Sequence, residues 1–282
     1  MVAHGQTDGG KRPIRIGIIN IMPKAEAYES SLLRPLVSSG LSIEPIWVRL
    51  KSHRYGSSDA RHIETYRSFE DAMATGPLDG MILTGAPVEE LAFEKVSYWR
   101  ELSEVLDVCR SRVTSTVGLC WGGLALAKML GIEKCAFGKK LFGVFENRNL
   151  APGHWITGAG DSFWCAHSRH SGIASSELEA ARDVGLVNLL SHGSETGYSI
   201  FESADRAYVA HLGHPEYEAM RLVREWERDV ALGRKDVAPP SHVDLAHPTD
   251  VWRSHCTHFF SQWLHGLTRR RPVIAGDEAV RG

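Results

Sequence analysis

Short β-branched apolar runs alternate with helical stretches between residues 14 and 131, and this order constrains the fold more than any other feature of the chain. Four of the runs are predicted strands: 14–22, 41–50, 78–87 and 113–120. Three stretches between or after them have helical spacing: 26–38, 96–111 and 122–131. Strands that alternate with helices are typical of a parallel sheet with helices on both faces. We therefore predict an α/β fold with a mostly parallel sheet flanked by helices.

The second half of the chain has a different pattern. Four segments there resemble antiparallel or mixed strands: 141–147, 155–158, 197–203 and 206–215. Two helices are predicted to close the fold, from Glu216 to Leu232 and from Asp250 to Leu267, with a polar, proline-rich linker between them. We predict a disordered lead-in at 1–13, a single α/β domain at 14–267 and a mobile tail at 268–282.

Composition excludes several classes of function. The formal net charge of the 282 residues is −2, which gives no support for a nucleic-acid or membrane-surface partner. No apolar stretch approaches the roughly 18 residues that a membrane span needs. The cysteines number five and form no C-x-x-C pair, so neither a disulfide framework nor a structural zinc site is expected. Reduced thiols in a cytoplasmic protein, with no metal, fit this pattern.

The stretch "GLCWGG" places Cys120 between Gly118 and Gly122, directly after a predicted strand and before a predicted helix. This G-x-C-x-G pattern is typical of a nucleophile elbow, with sulfur in place of oxygen. A thiol at a helix N-terminus lies in a partial positive charge that favours the thiolate. The backbone N–H of Trp121 is then placed to stabilise an oxyanion. The alternative is that Cys120 is an ordinary buried thiol.

A thiol nucleophile needs a base, and "HLGHPEYE" offers His214 with Glu216 two residues later. In an extended segment, residues i and i+2 point the same way, so the carboxylate could orient the imidazole. Together with Cys120 these residues form a candidate triad. The other histidines are weaker candidates: His211 is an outside candidate for the base, and His255 and His258 are expected to be packing or surface residues.

Several short segments of the chain resemble homoserine O-acyltransferases, over a region that runs from about Ile14 to Leu267. The segments are "NIMPK", "TGAPVEEL", "YW", "VTST", "CWGG", "DSF", "HSR", "GHPEYE", "RD" and "WRSH". The resemblance implies a fold similar to class I glutamine amidotransferases, which is flavodoxin-like with additional mixed strands. It also implies transfer of an acyl group from acyl-CoA to the homoserine hydroxyl, by a ping-pong route through a cysteine thioester.

The resemblance also assigns roles to individual residues. Cys120 would be the nucleophile, His214 the base and Glu216 its orienting carboxylate. Lys140, Ser168 and Arg228 match positions that bind the amino-acid substrate. Glu89 matches a position where family members that use acetyl-CoA tend to carry Glu and those that use succinyl-CoA tend to carry Gly, so acetyl-CoA is the expected co-substrate. No bound cofactor is expected, and the family implies a homodimer.

The match departs from the family pattern near the expected mouth of the site. The family commonly has a second lysine where this chain has Ala25, an acidic E-T-E where it reads Ala27-Tyr28-Glu29, and a glutamine-containing helix start after the nucleophile. These departures leave the acceptor open, so L-serine or another hydroxy amino acid in a specialised pathway is an alternative to homoserine, with an acetyl or a succinyl donor. Two further alternatives are a glutamine amidotransferase-like cysteine amidase and a non-catalytic relative that binds a metabolite.

Overall fold

The structure is a computed structural model that describes residues 12–270. Most of the predicted lead-in and most of the predicted tail therefore lie outside the described residues. The last helix continues to Arg270, three residues beyond the predicted end of the domain. Within the described range, no helix is both long enough and apolar enough to cross a membrane.

Nine strands between residues 12 and 270 form one sheet: β1 (Ile14–Ile19), β2 (Ile43–Val48), β3 (Gly80–Leu83), β4 (Ser115–Leu119), β5 (Cys135–Asn149), β6 (Ser162–Gly172), β7 (Val187–Gly193), β8 (Gly197–Ser203) and β9 (Tyr208–His211). Their spatial order is β2-β1-β3-β4-β9-β8-β7-β5-β6. The first five strands in this order pair in parallel, and the remaining pairs are antiparallel. The parallel part has the order of flavodoxin-like folds. The predicted α/β class with a mostly parallel sheet and additional mixed strands is confirmed.

In the described part of the chain, eight α-helices accompany the sheet: α1 (Ala25–Val37), α2 (Ala60–Ile63), α3 (Phe69–Ala74), α4 (Trp99–Arg112), α5 (Trp121–Met129), α6 (Ser175–Asp183), α7 (Ala219–Ala231) and α8 (Arg253–Arg270). Buried side chains form one large cluster on each face of the sheet. Helices α3 to α6 contribute to the first cluster, and helices α1, α7 and α8 contribute to the second. Strand β1 is buried at all six positions because helices cover both of its faces, as its continuous apolar run predicts.

The structure corrects several predicted elements. Residues 155–158 are a turn rather than a strand, since His154 and Gly158 bridge to each other and close it. Helix α7 begins at Ala219 and not at Glu216, because the chain from 212 to 218 crosses the end of the sheet without helical structure. Strands β6 and β7 are not among the predicted strands. Their sequences are rich in polar residues, so the apolar-run criterion does not detect them.

The junction of β4 and α5 is packed so closely that only glycine fits at two positions. A Cβ on Gly118 would lie 2.4 Å from the carbonyl oxygen of Gly122, and a Cβ on Gly122 would lie 2.4 Å from the carbonyl oxygen of Leu83. Both contacts are with backbone atoms, which cannot move aside as a flexible side chain can. The two glycines of the G-x-C-x-G pattern therefore allow α5 to start directly against the end of β3.

Gly122→Ala should lower the free energy of unfolding by about 2–3 kcal/mol, because the added methyl group overlaps the backbone of β3. Urea denaturation followed by circular dichroism measures the change. The control is Gly160→Ala, where a Cβ would meet no atom within 4 Å, and its effect should stay within about 0.5 kcal/mol. Equal stability of Gly122→Ala and Gly160→Ala would contradict the close approach.

Candidate active site

Cys120 lies between β4 and α5 with φ 50° and ψ −112°, a backbone conformation that residues other than glycine rarely adopt. Such strained residues are concentrated at functional sites. The turn is held by the Cys120 N–H, which donates to the carbonyl oxygen of His211 at 2.8 Å. The predicted elbow is therefore present, and it places the thiol at the carboxyl ends of the parallel strands, where ligands bind in folds of this type.

His214 reaches this thiol because β4 and β9 are neighbours. Leu119, directly before the thiol, pairs with His211, the last residue of β9, and His214 follows three residues later. The N–H of His214 donates to the carbonyl oxygen of Ala166 at 2.7 Å, and its ring stacks on Tyr217 with centroids 3.9 Å apart. The imidazole therefore has a fixed position and a fixed plane.

The thiol and the imidazole meet beside Gly85, in the loop after β3. A Cβ on Gly85 would lie 3.5 Å from Cβ of Cys120 and 3.3 Å from Cε1 of His214. Nδ1 of His214 is 2.7 Å from Oε1 of Glu216, and both side chains are buried. Burial lowers the pKa of His214, but the negative charges of Cys120 and Glu216, and hydrogen bonds to both groups, raise it well above its ordinary value. This arrangement makes His214 a strong proton acceptor beside the thiol.

An oxyanion site is available at the start of α5. The first N–H groups of a helix have no partner within the helix, and that of Trp121 directly follows the nucleophile. The indole of Trp121 is fully buried between the rings of Phe93, Tyr98 and Trp99. This packing fixes the helix start, which supports the predicted oxyanion role of the Trp121 backbone.

Strand β6 is the last strand of the sheet order, yet it lies over the nucleophile. The carbonyl oxygen of Ser168 is 3.9 Å from Sγ of Cys120, and the nearby residue Ala166 binds the N–H of His214. The long β5–β6 hairpin therefore folds back across the carboxyl ends of β4 and β9. As a result, the backbone of Ser168 lies next to Cys120.

A buried carboxylate organises the wall behind Ser168. Glu225 on α7 accepts a hydrogen bond from Oγ of Ser168 at 2.6 Å and one from the hydroxyl of Tyr217 at 2.9 Å. Nε of Arg221 lies 3.2 Å from the same carboxylate. Burial raises the pKa of Glu225, but the charge of Lys140 and the hydrogen bond from Ser168 outweigh it, so the pKa lies below its ordinary value. Glu225 is not among the residues predicted from the sequence, and its place between Arg221 and Arg228 on an amphipathic helix gives only a weak signal.

Lys140 is bound by acidic residues in this structure. Its Nζ lies 2.8 Å from Asp229 and 3.8 Å from Glu225, and it lies over the ring of Phe142 at 4.0 Å. The side chain is only 3% exposed. Lys140 therefore neutralises two buried carboxylates at the edge of the site. Its own positive charge is already paired with these two groups.

Arg228 lies on the exposed side of α7. Its guanidinium is 55% exposed and donates to Oδ1 of Asp229 from Nε at 2.9 Å and from Nη2 at 2.6 Å. Asp229 thus lies between Arg228 and Lys140. A substrate carboxylate that binds Arg228 has to compete with Asp229 or use the remaining donors of the guanidinium.

Glu89 lies in the same loop as Gly85 and is tied to β6. Its Oε1 accepts from the backbone N–H of His170 at 2.7 Å and lies 3.0 Å from Nδ1 of the same residue. The hydrogen bond to Glu89 raises the pKa of His170 above its ordinary value. The carboxylate is therefore a fixed, mostly buried group at the rim of the site rather than a mobile surface acid.

Three potential metal ligands, Cys165, His211 and His255, come within 4.8 Å of one another beside the site. Nδ1 of His211 accepts the N–H of Gly213 at 3.1 Å, and its Nε2 is 3.0 Å from Nε2 of His255. Burial lowers the pKa of both histidines, that of His255 to about 3, so both rings are neutral. Nε2 of His211 then carries the proton and donates it to His255, whereas a metal ligand at Nε2 needs the opposite tautomer. His211 is thus a structural partner and not the base.

Lys140→Met should lower the free energy of unfolding by about 2 kcal/mol near neutral pH, because it removes the buried cation from two carboxylates, which keep only the more exposed guanidinium groups of Arg221 and Arg228. The pKa values of Glu225 and Asp229 lie below their ordinary values of 4.5 and 3.8. Their pairing therefore contributes stability above about pH 5 that is lost as the pH falls through the folded pKa values. Urea denaturation from pH 2 to 8 measures this loss of stability. Lys139→Met, at an exposed neighbour, is the control, and a deficit independent of pH would contradict the ion pairing.

Comparisons with known proteins identify the family of this chain. A family model described as homoserine O-succinyltransferase matches residues 2–272. A homoserine O-acetyltransferase of Bacillus subtilis (strain 168) is 36% identical over 259 residues, which are 90% of this chain and 85% of that protein. Proteins of the same name from Petrotoga mobilis (strain DSM 10674 / SJ95) and Jannaschia sp. (strain CCS1) are also 36% identical, over 90% and 93% of this chain and 83% and 85% of their own.

Solved structures with the same fold are glutamine amidotransferases. One from Thermotoga maritima has a TM-score of 0.58 at 11% identity and covers 91% of this chain and 99% of its own. One from Methylobacillus flagellatus has a TM-score of 0.54 at 15% identity, over 92% and 96% of the two chains. At these identities the likeness shows the class I glutamine amidotransferase-like fold alone. The match of the family model over almost the whole chain shows that the protein is an acyltransferase that belongs to the homoserine O-succinyltransferase family.

Proposed function

We propose that this protein transfers an acetyl group from acetyl-CoA to the hydroxyl of L-homoserine, through a thioester on Cys120. The observation that carries the proposal is the elbow thiol facing a buried His214–Glu216 pair, in a chain whose relatives are named homoserine O-acetyltransferases. Acetyl-CoA is a co-substrate here, and the mechanism uses no metal and no bound organic cofactor.

In the first half-reaction His214 takes the thiol proton of Cys120, and the thiolate attacks the carbonyl carbon of acetyl-CoA. The N–H of Trp121, with an N–H of the loop that contains Gly85, would hold the oxyanion. When the tetrahedral intermediate collapses, the C–S bond to CoA breaks, and His214 returns its proton to the departing CoA sulfur. The acetyl group remains on Cys120.

In the second half-reaction the acceptor hydroxyl gives its proton to His214, and its oxygen attacks the thioester carbonyl carbon. The C–S bond to Cys120 breaks, the sulfur takes back the proton, and the acetyl ester leaves. Ser168 and Arg228 are our candidates for binding the amino-acid groups of the acceptor, with Lys140 ordering Asp229 beside Arg228. L-Serine is the second candidate acceptor, because the family pattern changes at Ala25 and Tyr28. We also propose a cytoplasmic homodimer, as the family resemblance implies.

Incubation with acetyl-CoA alone should add one acetyl group to the intact protein, as measured by mass spectrometry. Cys120→Ala should abolish this addition, whereas Cys135→Ala, which removes a partly exposed thiol, should retain it. Homoserine should then discharge the acetyl group faster than serine or water does. Discharge at one rate by all three would contradict a transferase and indicate a hydrolase. Ammonia release from glutamine, without acetyl transfer, would indicate an amidase.

Glu89→Gly should raise the ratio of kcat/KM for succinyl-CoA to that for acetyl-CoA by at least about tenfold, because it removes a fixed negative charge and opens space. The matched control is Glu90→Gly, at a neighbouring carboxylate that is 61% exposed, which should leave the ratio unchanged. Glu89→Gln separates the two effects, since it removes the charge and keeps the volume. A ratio that none of the variants changes would contradict the proposed donor selection.

A further inference from the structure

Tyr28, one of the positions where this chain departs from the family pattern, lies inside the active site. It is on α1 and only 1% exposed. Its hydroxyl donates a hydrogen bond to Oε1 of Glu216. Helix α1 therefore supplies a fourth side chain to the series that runs from Cys120 through His214 and Glu216.

The hydrogen bonds of the Glu216 side chain are concentrated on one oxygen. Oε1 receives the imidazole of His214 at 2.7 Å and also the hydroxyl of Tyr28. The other oxygen, Oε2, is buried and has no hydrogen-bond partner among residues 12–270. A buried carboxylate with two donors on one oxygen has one preferred orientation, and the loss of either donor leaves it both under-solvated and free to rotate.

The phenol of Tyr28 is itself held in place. Its ring meets the ring of Tyr217 edge-on, with centroids 6.3 Å apart, and Tyr217 stacks on His214. The guanidinium of Arg221 lies over both tyrosine rings, 5.6 Å from that of Tyr28 and 5.2 Å from that of Tyr217. Burial and the charge of Glu216 raise the pKa of Tyr28 well above its ordinary value. The hydroxyl therefore stays protonated, and it can act only as a donor to the carboxylate.

We propose that Tyr28 is a positioning residue of the triad: its hydroxyl fixes the Glu216 carboxylate and shares its negative charge, so that His214 is held toward Cys120 with a moderated basicity. The inference rests on the proposed function, because it assumes that this His–Glu pair activates the thiol. It adds a hydrogen-bond donor that the triad itself does not contain. It also assigns a role to the "AYE" segment of α1, where this chain departs from the family pattern.

The test is Tyr28→Phe, which removes one oxygen and keeps the ring. We expect the rate of thioester formation from acetyl-CoA to fall by about tenfold, the effect of losing a hydrogen bond to a charged group. We also expect the pH profile of Cys120 alkylation by iodoacetamide to change. Without Tyr28 the full charge of Glu216 acts on the imidazolium, so the step in which His214 loses its proton should move to higher pH.

The wild-type protein and Tyr28→Phe differ near His214 only in the Tyr28 hydroxyl. The other titratable groups around His214 are the same in both: Cys120 at the elbow, Glu216 and Tyr217 on its own loop, Glu225 and Arg221 on α7, His167 on β6 and His211 on β9. Tyr208→Phe is the matched control. Its hydroxyl is also buried and donates to the carbonyl oxygen of Leu106 at 2.9 Å, at the start of β9, where Tyr208 pairs with Thr116, four residues before Cys120. It should change stability but neither the rate nor the pH profile.

A double-mutant cycle with Glu216→Gln tests whether Tyr28 acts through the carboxylate. The effect of Tyr28→Phe on the alkylation profile should disappear in the Glu216→Gln background. An unchanged profile and rate in Tyr28→Phe would overturn the inference, and so would an undiminished effect in the double variant. A wild-type protein that forms no thioester would instead contradict the proposed function, and the alkylation profile, which needs no acyl donor, would still report on Tyr28.

Discussion

The approach of two backbone segments, rather than any side-chain contact, determines the site of this protein. Gly122 lies against the carbonyl oxygens of Leu83 and Thr84, so α5 starts at the edge of β3 with no space for a side chain between them. The chain can enter this helix only through the strained conformation of Cys120. The position of the thiol, the free N–H groups at the helix start and the proximity of Gly85 to His214 all follow from this one packing constraint.

The charges behind the thiol are arranged on the same principle of fixed geometry. Glu225 and Asp229 are one turn apart on α7 and share the cation of Lys140, which comes from the far strand β5. Removing these groups from water costs free energy, which the ion pairs and the hydrogen bond from Ser168 offset. The partners come from three separate elements, β5, β6 and α7. The network therefore joins the β5–β6 hairpin to α7 and holds this hairpin in place over the thiol.

The sequence predicts those parts of the site that depend on local pattern. The elbow at Cys120 and the pair His214 and Glu216 are visible as short motifs, because a tight turn demands glycines and an imidazole and a carboxylate two residues apart can reach each other. The structure brings this pair together in a turn at 215–216 and not in the predicted extended segment. The parallel half of the sheet is predicted for a similar reason, since strands buried on both faces are continuous apolar runs. Strand β6 is rich in polar residues, and the contact of Ser168 with Cys120 depends on a hairpin that folds back over the sheet. No local pattern encodes that contact, nor the reach of Tyr28 from α1.

The proposed choice between acetyl and succinyl donors depends on one local interaction, the binding of Glu89 to His170. The matching family model is described as an O-succinyltransferase, whereas the relatives from Bacillus subtilis, Petrotoga mobilis and Jannaschia are named O-acetyltransferases. In this chain Glu89 is bound to both the backbone and the side chain of His170 on β6, so its charge cannot swing away from an approaching ligand. A fixed carboxylate repels the free carboxylate of a succinyl group and has little effect on the binding of a neutral acetyl group. A mobile carboxylate would move away and would discriminate poorly between the two donors. The proposed discrimination between donors would therefore depend on the hydrogen bonds that hold Glu89 as much as on the presence of the acid, and a change in β6 alone would remove it.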